Sequence, residues 1–272
     1  MTLLPLKNIT ASCLVACERF LGIRPLQVSV LCYHSVCDEV GAINVPVKNF
    51  LTQIQFLRSY GFDFITLDQV MEFIKDKSLP NQKPCIALTF DDGYEDIMEH
   101  VLPLLGRLTI PAAFFVLPRP ERAEHSITKH QKHLLSANQI QQIHRLGFTI
   151  GSHTMTHRNL LKISVSEYKK EINRSKQQLE HLLHTNIMYF AYPQGSYNSE
   201  AIDAVRQAGY KGAFSIDAGI ISPGTNPFTV PRLCVNARHS LEQFSAFFTH
   251  LGTWYLEFTK KQQVDINKSE YA

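Results

Sequence analysis

The stretch CIALTFDDGY (residues 85–94) joins an apolar run directly to two adjacent carboxylates, Asp91 and Asp92. The apolar part has the length and composition of a buried β-strand. Because an unpaired buried charge is very costly, a positive partner is expected where the strand ends. A divalent cation is one such partner, with one aspartate as ligand and the other free to handle a proton. The alternative is an acidic helix N-terminus, where aspartate suits the helix dipole.

A second stretch, FTIGSHTMTH (residues 148–157), repeats this design with histidines. An apolar strand candidate ends in His153 and His157, which are spaced i, i+4. Neutral imidazoles are good ligands for zinc and similar metals, and two histidines with one carboxylate leave coordination positions open for water and substrate. Ordinary surface histidines are the alternative for such a pair taken alone. The two strand-terminal clusters together favour a catalytic metal site.

Strand and helix patterns alternate almost throughout the chain, which predicts βαβ units, a parallel sheet and the α/β class. Candidate helices are punctuated by Ser136 and Asn198 as N-caps. Functional residues at several strand ends indicate a barrel, in which strand ends share one face. The predicted strands are near 28–33, 63–66, 84–90, 112–116, 148–152, 188–192 and 211–216, and the predicted helices near 47–60, 67–76, 95–106, 136–146, 164–184, 198–208 and 240–249.

Three segments resemble the first three motifs of the polysaccharide deacetylases (NodB-homology domain, carbohydrate esterase family 4). They are TFDDG at 89–93, HTMTH at 153–157 and FAYPQG at 190–195, and the resemblance covers about residues 28 to 248. It implies a distorted (β/α)7 barrel in a single catalytic domain over residues 28–250. Outside this domain, residues 1–27 are expected to be an N-terminal extension whose pattern predicts an amphipathic helix from Thr10 to Leu21, and residues 251–272 a polar tail.

The resemblance also implies an activity, which is metal-dependent removal of N-acetyl groups from amino sugars. Position by position, Asp91 is the general base, and Asp92, His153 and His157 are the metal ligands. The backbone N–H of Gln194 matches the second oxyanion donor. One divalent metal ion is expected, zinc first, with cobalt, nickel and manganese as alternatives. The expected partner is an N-acetylated glycan such as an N-acetylglucosamine polymer or oligomer.

The chain departs from the family pattern at several positions. Ala191 stands where most members have an arginine that orients the base, and the usual fourth and fifth motifs are not recognisable. Arg232 is a candidate for the missing guanidinium and is grouped with Gln194 and Tyr192 as an expected substrate-binding residue; its alternative is a surface arginine on the barrel rim. Tyr192, with Tyr197 and Phe90, is expected either to stack on sugar rings or to be an ordinary core or rim aromatic.

The general acid has a candidate in His34, at the end of the apolar run VSVLCYH (residues 28–34). This resembles the subgroup that deacetylates poly-N-acetylglucosamine, in which a Tyr-His strand end takes the acid role. A structural histidine that caps a strand is the alternative interpretation of His34. His239 and His250 are other candidates for the acid, although both lie near a predicted C-terminal helix, where a solvated face is expected.

Bulk properties limit the functional classes. With 272 residues and 44% hydrophobic residues, the chain can bury one large core. A net charge of +3 argues against nucleic acid and against a polybasic membrane anchor. The sequence contains no run of about 20 apolar residues that would predict a membrane span. The six cysteines do not form a disulfide pattern, so a cytoplasmic location is expected, with export or membrane association as the alternative.

Two other functions are compatible with the sequence. A hydrolase of a non-sugar amide or formamide would share the fold and metal, and the missing arginine leaves room for it. A catalytically inactive carbohydrate-binding homologue would explain that loss but not the presence of Asp91 with all three ligand positions. The oligomeric state stays open.

Overall fold

The computed structural model describes residues 28–76, 83–123 and 132–250. The strands are β1 (Val28–Tyr33), β2 (Ser35–Val36), β3 (Asn44–Val45), β4 (Asp63–Phe64), β5 (Cys85–Phe90), β6 (Ala112–Val116), β7 (Thr149–Ser152), β8 (Tyr189–Ala191), β9 (Gly212–Phe214) and β10 (Leu233–Cys234). The helices are α1 (Val47–Ser59), α2 (Leu67–Asp76), α3 (Ile97–His100), α4 (Leu102–Leu108), α5 (Ala137–Arg145), α6 (Val165–Leu183), α7 (Ser199–Gln207) and α8 (Leu241–Ala246). The predicted helix from Thr10 to Leu21 and the tail from 251 lie outside the described residues.

Seven parallel strands form one curled sheet in the order β10-β1-β5-β6-β7-β8-β9, and β4 pairs with the first residues of β5. The segment 230–234 bridges the two ends of this order. Val230 pairs with Phe214 of β9, while Leu233 and Cys234 pair with Leu31 and Cys32 of β1. The curled sheet therefore closes on itself, which protects its edges, and the predicted distorted (β/α)7 barrel is confirmed.

Apolar side chains pack on both faces of the sheet, which explains why the strands are almost continuously hydrophobic. Alternate strand residues, such as Val30, Ala87 and Phe115, join an inner cluster with one face of α2. Their neighbours, such as Leu31 and Phe114, pack in the larger cluster with the outer helices. Successive side chains of a strand point to opposite faces. Asp91 therefore continues the alternation of Cys85, Ala87 and Thr89 and is expected on the same face of the sheet as these residues.

Helix boundaries follow local sequence signals closely. Ser136 forms a capping box with Gln139, and the Asn198 side chain accepts a hydrogen bond from the Ala201 N–H, as predicted. The predicted helix at 95–106 is instead divided into α3 and α4. Pro103 explains the break, because its ring clashes with the carbonyl group four residues earlier.

Of the four strands in the described chain that are only two residues long, β4 was predicted, but β2, β3 and β10 were not. Each of these three is too short for any period to appear in the sequence. Among the described residues, no helix is long and apolar enough to cross a membrane.

Candidate active site

The polar residues expected at strand ends all lie at the carboxyl edge of the sheet. His34 follows β1, Asp91 and Asp92 follow β5, and His153 follows β7. Gln194 lies in a short helical turn, Pro193–Gly195, just after β8. Because parallel strands present their carboxyl ends on one face, four segments that are distant in sequence contribute to one site.

Asp92, His153 and His157 converge on a common point. The Nε2 atom of each histidine lies 3.3 Å from Asp92 Oδ1. All three side chains are buried, and one possible ligand atom from each lies within 4.8 Å of the others. Asp92 Oδ1 has no hydrogen-bond partner within the described chain. A buried carboxylate oxygen without a partner, facing two imidazole nitrogens, is suited to a cation.

The hydrogen bonding of His153 and the pKa values of His157 and Asp92 suit a metal centre. The ring Nδ1 of His153 lies 2.8 Å from the Ala191 carbonyl oxygen, which leaves Nε2 directed at Asp92. Burial lowers the pKa of His157 to about 3, so this imidazole is neutral. Burial alone would raise the pKa of Asp92, but the two histidines outweigh it and hold that pKa below its usual value. A carboxylate with two imidazoles is a donor set for zinc or a similar divalent ion.

Backbone strain is concentrated in the loops that carry these ligands. Six non-glycine residues in the described chain have a positive φ, and four of them lie in the site loops. These four are Asp92 (69°), Thr154 (67°), His157 (64°) and Gln194 (55°). Strained conformations of this kind persist where surrounding contacts enforce them, and they cluster at functional sites.

Asp91 is held by a fully buried arginine. Arg232 Nη1 donates to Asp91 Oδ1 at 2.7 Å, and Nη2 donates to Oδ2 at 2.6 Å. The guanidinium also donates to Thr89 Oγ1 (3.1 Å) and to the Ser215 carbonyl oxygen (2.9 Å). This two-pronged geometry is the strongest arrangement for an arginine and a carboxylate.

Arg232 is therefore not a surface arginine on the rim, since only 1% of it is exposed. Its guanidinium is buried and donates to Asp91, Thr89 and Ser215, which contradicts a direct substrate contact in this conformation. Burial alone would raise the pKa of Asp91, but the charge of Arg232 outweighs it, so that pKa is lowered. Asp91 is a carboxylate of fixed orientation.

His34 lies beside Asp91. Ligand atoms of Cys32, His34 and Asp91 are within 4.8 Å of one another, and His34 is half-buried. This second group does not suit a cation, because Arg232 occupies both carboxylate oxygens of Asp91. A hydrogen bond with Cys234, together with burial, also raises the pKa of the Cys32 thiol well above its usual value. His34 is thus placed next to the expected base and outside the metal ligand set.

The other acid candidates are placed differently. Burial lowers the pKa of His239 to about 4, and its ring packs against Phe247. His250 is exposed at the end of the described chain. Neither belongs to a potential metal-binding cluster among the described residues.

The aromatic residues expected to stack on sugar rings are mostly core residues. Tyr192 is fully buried, and its hydroxyl donates to the Phe228 carbonyl oxygen at 3.0 Å. Phe90 is also buried and stacks on Tyr33 and Phe114. The substrate-stacking role for Tyr192 and Phe90 is therefore wrong in this conformation. Tyr197 is partly exposed, and its hydroxyl donates to Asp217 Oδ2.

The side chain of Gln194 is hydrogen-bonded to the segment that follows His157. Asn159 Nδ2 donates to Gln194 Oε1 at 2.7 Å and to Ser196 Oγ at 3.0 Å. These bonds support the left-handed backbone at Gln194, whose N–H group is the expected oxyanion donor.

Two carboxylates that organise the site were not identified by the sequence analysis. Glu171 on α6 accepts hydrogen bonds from the loop between His153 and His157. Asp96 accepts hydrogen bonds from Ser35 Oγ (2.6 Å) and the Val36 N–H (3.2 Å), directly after His34. Glu171 lies in the polar helix α6 and Asp96 in the turn before α3, where an acidic residue gives no local sign of a special role.

Comparison with known proteins agrees with this fold. The family model for polysaccharide deacetylase matches residues 78–213, half of the chain. A poly-beta-1,6-N-acetyl-D-glucosamine N-deacetylase of Staphylococcus aureus is 25% identical over 79% of this chain and 77% of its own length.

Two solved structures share the fold. IcaB from Ammonifex degensii has a TM-score of 0.71 and 23% identity, covering 85% of this chain and 97% of its own. The Streptococcus pyogenes deacetylase PplD, in complex with acetate, has a TM-score of 0.70 and 22% identity, covering 83% and 99%. Together with the family match over residues 78–213, the fold and the gathered motifs show that this chain belongs to the polysaccharide deacetylase family, whose members hydrolyse N-acetyl amide bonds.

Proposed function

We propose that this protein is a metal-dependent hydrolase that removes N-acetyl groups from N-acetylglucosamine residues of a poly- or oligosaccharide. The observation that carries the proposal is the convergence of Asp92, His153 and His157 beside an Asp91 carboxylate oriented by Arg232. The similarity to the Staphylococcus aureus deacetylase favours a β-1,6-linked glycan as substrate.

Asp92, His153 and His157 would hold one divalent cation, with zinc as the first choice. When bound, such an ion lowers the pKa of water and polarises an amide carbonyl group. Asp91 is then the general base that takes the proton of the attacking water. Arg232 keeps both oxygens of Asp91 in fixed positions, so the base has one orientation. The backbone N–H of Gln194 would donate to the developing oxyanion.

The amine produced when the amide bond breaks must gain a proton. His34 is the proposed acid, because it lies next to Asp91 but outside the metal ligand set. The network around Asp96 fixes the backbone directly after His34, which favours a constant ring position. A separate acid and base allow both proton transfers to occur without diffusion of a buffer molecule.

The direct test is acetate release from β-1,6-linked N-acetylglucosamine oligomers, with and without a chelator, together with metal analysis of the purified protein. We expect chelator-sensitive release and about one metal ion per chain. Variants Asp92→Ala, His153→Ala and His157→Ala should lose both the metal and the activity. Full metal occupancy in all three variants would refute the ligand assignment.

Other outcomes distinguish the remaining functions. Bound metal with hydrolysis of simple acetamides or formamides, but not of glycans, would identify a non-sugar amide hydrolase. Glycan binding without turnover, in a protein with metal bound, would identify an inactive carbohydrate-binding homologue. Either result would overturn the proposed substrate and leave the family assignment intact.

A further inference from the structure

The carboxylate of Glu171 is bonded to the loop that separates the two histidine ligands. Oε2 accepts from the backbone N–H groups of Met155 (3.0 Å) and Thr156 (2.9 Å), and Oε1 accepts from Thr156 Oγ1 (2.9 Å). Both partners lie between His153 and His157. One side chain on the 19-residue helix α6 therefore anchors the middle of this loop.

The loop needs such an anchor because its backbone is strained at two positions. Thr154 and His157 have φ values of 67° and 64°, in the left-handed region. A non-glycine residue in this region is sterically strained, because its Cβ atom crowds the following carbonyl oxygen. Within the loop, the His157 N–H donates to Thr154 Oγ1 at 3.0 Å. Glu171 adds three bonds from outside the loop, from a rigid element.

We propose that Glu171 is a positioning residue for the metal centre, which holds residues 153–157 so that both histidines face Asp92. If the anchor were lost, the loop would relax towards ordinary φ values and the two Nε2 atoms would no longer point at Asp92 Oδ1. Partners outside a metal's ligand set commonly change its affinity by about 10–100-fold. The inference rests on the proposed function only in taking Asp92, His153 and His157 as ligands.

Hydrogen-bond chemistry separates two substitutions at this position. Glu171→Ala removes all three acceptor contacts. Glu171→Gln can preserve them, since the amide oxygen can accept from both backbone N–H groups and the amide nitrogen can donate to Thr156 Oγ1, a hydroxyl that also accepts. Glutamine is thus expected to replace glutamate, and alanine is not.

A matched control lies on the same helix. Glu180 accepts from the Ile187 N–H at 3.1 Å and pairs with Lys176 Nζ at 2.7 Å. Glu180→Ala therefore also removes a carboxylate that ties α6 to a loop, but this loop carries no ligand. Its effect reports general destabilisation of the helix.

The experiment measures the zinc dissociation constant of the metal-free full chain by competition with a chromophoric chelator, together with urea unfolding of each metal-free variant. We expect Glu171→Ala to weaken zinc binding about tenfold or more. Glu171→Gln should bind zinc nearly as tightly as the original protein, and Glu180→Ala should change stability without changing zinc affinity. If Glu171→Ala does not fold, Thr156→Val removes only the Oγ1 contact and should give a smaller loss of affinity.

Unchanged zinc affinity in Glu171→Ala, or in Thr156→Val if the first variant does not fold, would overturn the inference. So would an equal loss in Glu180→Ala. A protein that binds no zinc at all would overturn the inference together with the metal site. Zinc affinity that responds as expected, in a protein that releases no acetate from glycans, would support the role of Glu171 and count against the proposed function alone.

Discussion

His153 and His157 face the same carboxylate oxygen but have different proton affinities. Burial lowers the pKa of His157 to about 3. Burial alone would lower the pKa of His153, but its contact with the Asp92 carboxylate and the charge of Asp91 outweigh this effect, so the pKa is raised. In the metal-free protein, His153 therefore holds a proton to higher pH than an ordinary histidine.

Metal binding should consequently depend on pH. A cation must displace the proton of His153, because only a neutral imidazole is a ligand. Apparent affinity should rise with pH until the raised pKa of His153 is passed and should then level off. Zinc titrations over a series of pH values, with proton release recorded in two buffers, would check this. A pH-independent dissociation constant would show that His153 is neutral before metal binds.

His34→Asn tests the acid role at the scale of one residue. We expect metal content to be unchanged and kcat to fall by about 10²–10⁴-fold, the usual contribution of a general acid or base. The loss should be smaller for substrates whose amine leaves easily, because these need less protonation. The measurement is kcat against pH for natural and activated amides. Near-normal turnover in His34→Asn would transfer the role to another group.

Arg232→Met tests the support of the expected base. Removing one partner of a buried ion pair costs about 3–5 kcal/mol. Without Arg232, burial would raise the pKa of Asp91 above its unfolded value, so the folded variant would bind the extra proton. The free energy of unfolding of the variant should then fall as the pH rises through the raised pKa of Asp91. In the original protein the pKa of Asp91 is lowered, so its stabilising contribution is lost only as the pH falls through that lowered pKa.

The readouts for this variant are urea unfolding at acidic and neutral pH and the pH–rate profile. The difference in the free energy of unfolding between variant and original protein should be larger at neutral pH. The acidic limb of the kcat/KM profile should shift to higher pH. Arg206→Met is the matched control, because Arg206 forms an exposed pair with Asp203. An acidic limb at unchanged pH in Arg232→Met would show that Arg232 does not influence the pKa of the base.

At the scale of elements, β7 must lie close to its neighbours in order to deliver His153. A Cβ atom added at Gly151 would lie 2.4 Å from Phe115 Cδ1 and 3.2 Å from the Tyr189 carbonyl oxygen. Both contacts come from the strands on either side, β6 and β8. Residue 151 therefore has no space for a side chain.

Gly151→Ala should lower the free energy of unfolding by about 1–3 kcal/mol through overpacking. Gly106→Ala is the control, since Gly106 lies in α4 with no atom within 4 Å of an added Cβ. That change should be neutral or stabilising by about 0.5–1 kcal/mol. Urea unfolding of both variants checks the contrast, and equal effects would contradict the close strand packing.

At the scale of the whole molecule, the metal ligands join segments of the barrel that are distant in sequence. Asp92 and His153 follow strands that are separated by β6 in the sheet, so a bound ion should stabilise the folded chain as a unit. At a metal concentration of 100 Kd the gain is about 2.7 kcal/mol, which corresponds to a rise in Tm of roughly 5–10 °C. Thermal unfolding with zinc and with chelator measures it. His157→Ala should lose most of this rise, and an equal rise in that variant would place the ion elsewhere.

The cellular location stays a prediction, with a cytoplasmic protein as the first expectation. The four cysteines in the described part of the chain are free thiols. Cell fractionation would test the location directly.

The fold class and the ligand candidates could be predicted because their signals are local. Asp92 and His153 each follow directly on an apolar run, and parallel strands bring such ends to one face. The aromatic residues gave no such signal: Tyr192 and Phe90 have the same local pattern whether they face a sugar or the core, and burial depends on neighbours that are distant in sequence.

The barrel, the expected base and the three expected ligands could therefore be predicted from the sequence alone, since periodicity and strand ends are properties of short segments. The sequence offers Arg232 only as a candidate for the missing guanidinium, and its pairing with Asp91 follows only from tertiary structure, because the two residues are 141 positions apart in sequence. The same is true of Glu171, whose carboxylate meets the histidine loop only when α6 packs beside β7. Long-range contacts of this kind leave no periodic trace in the sequence.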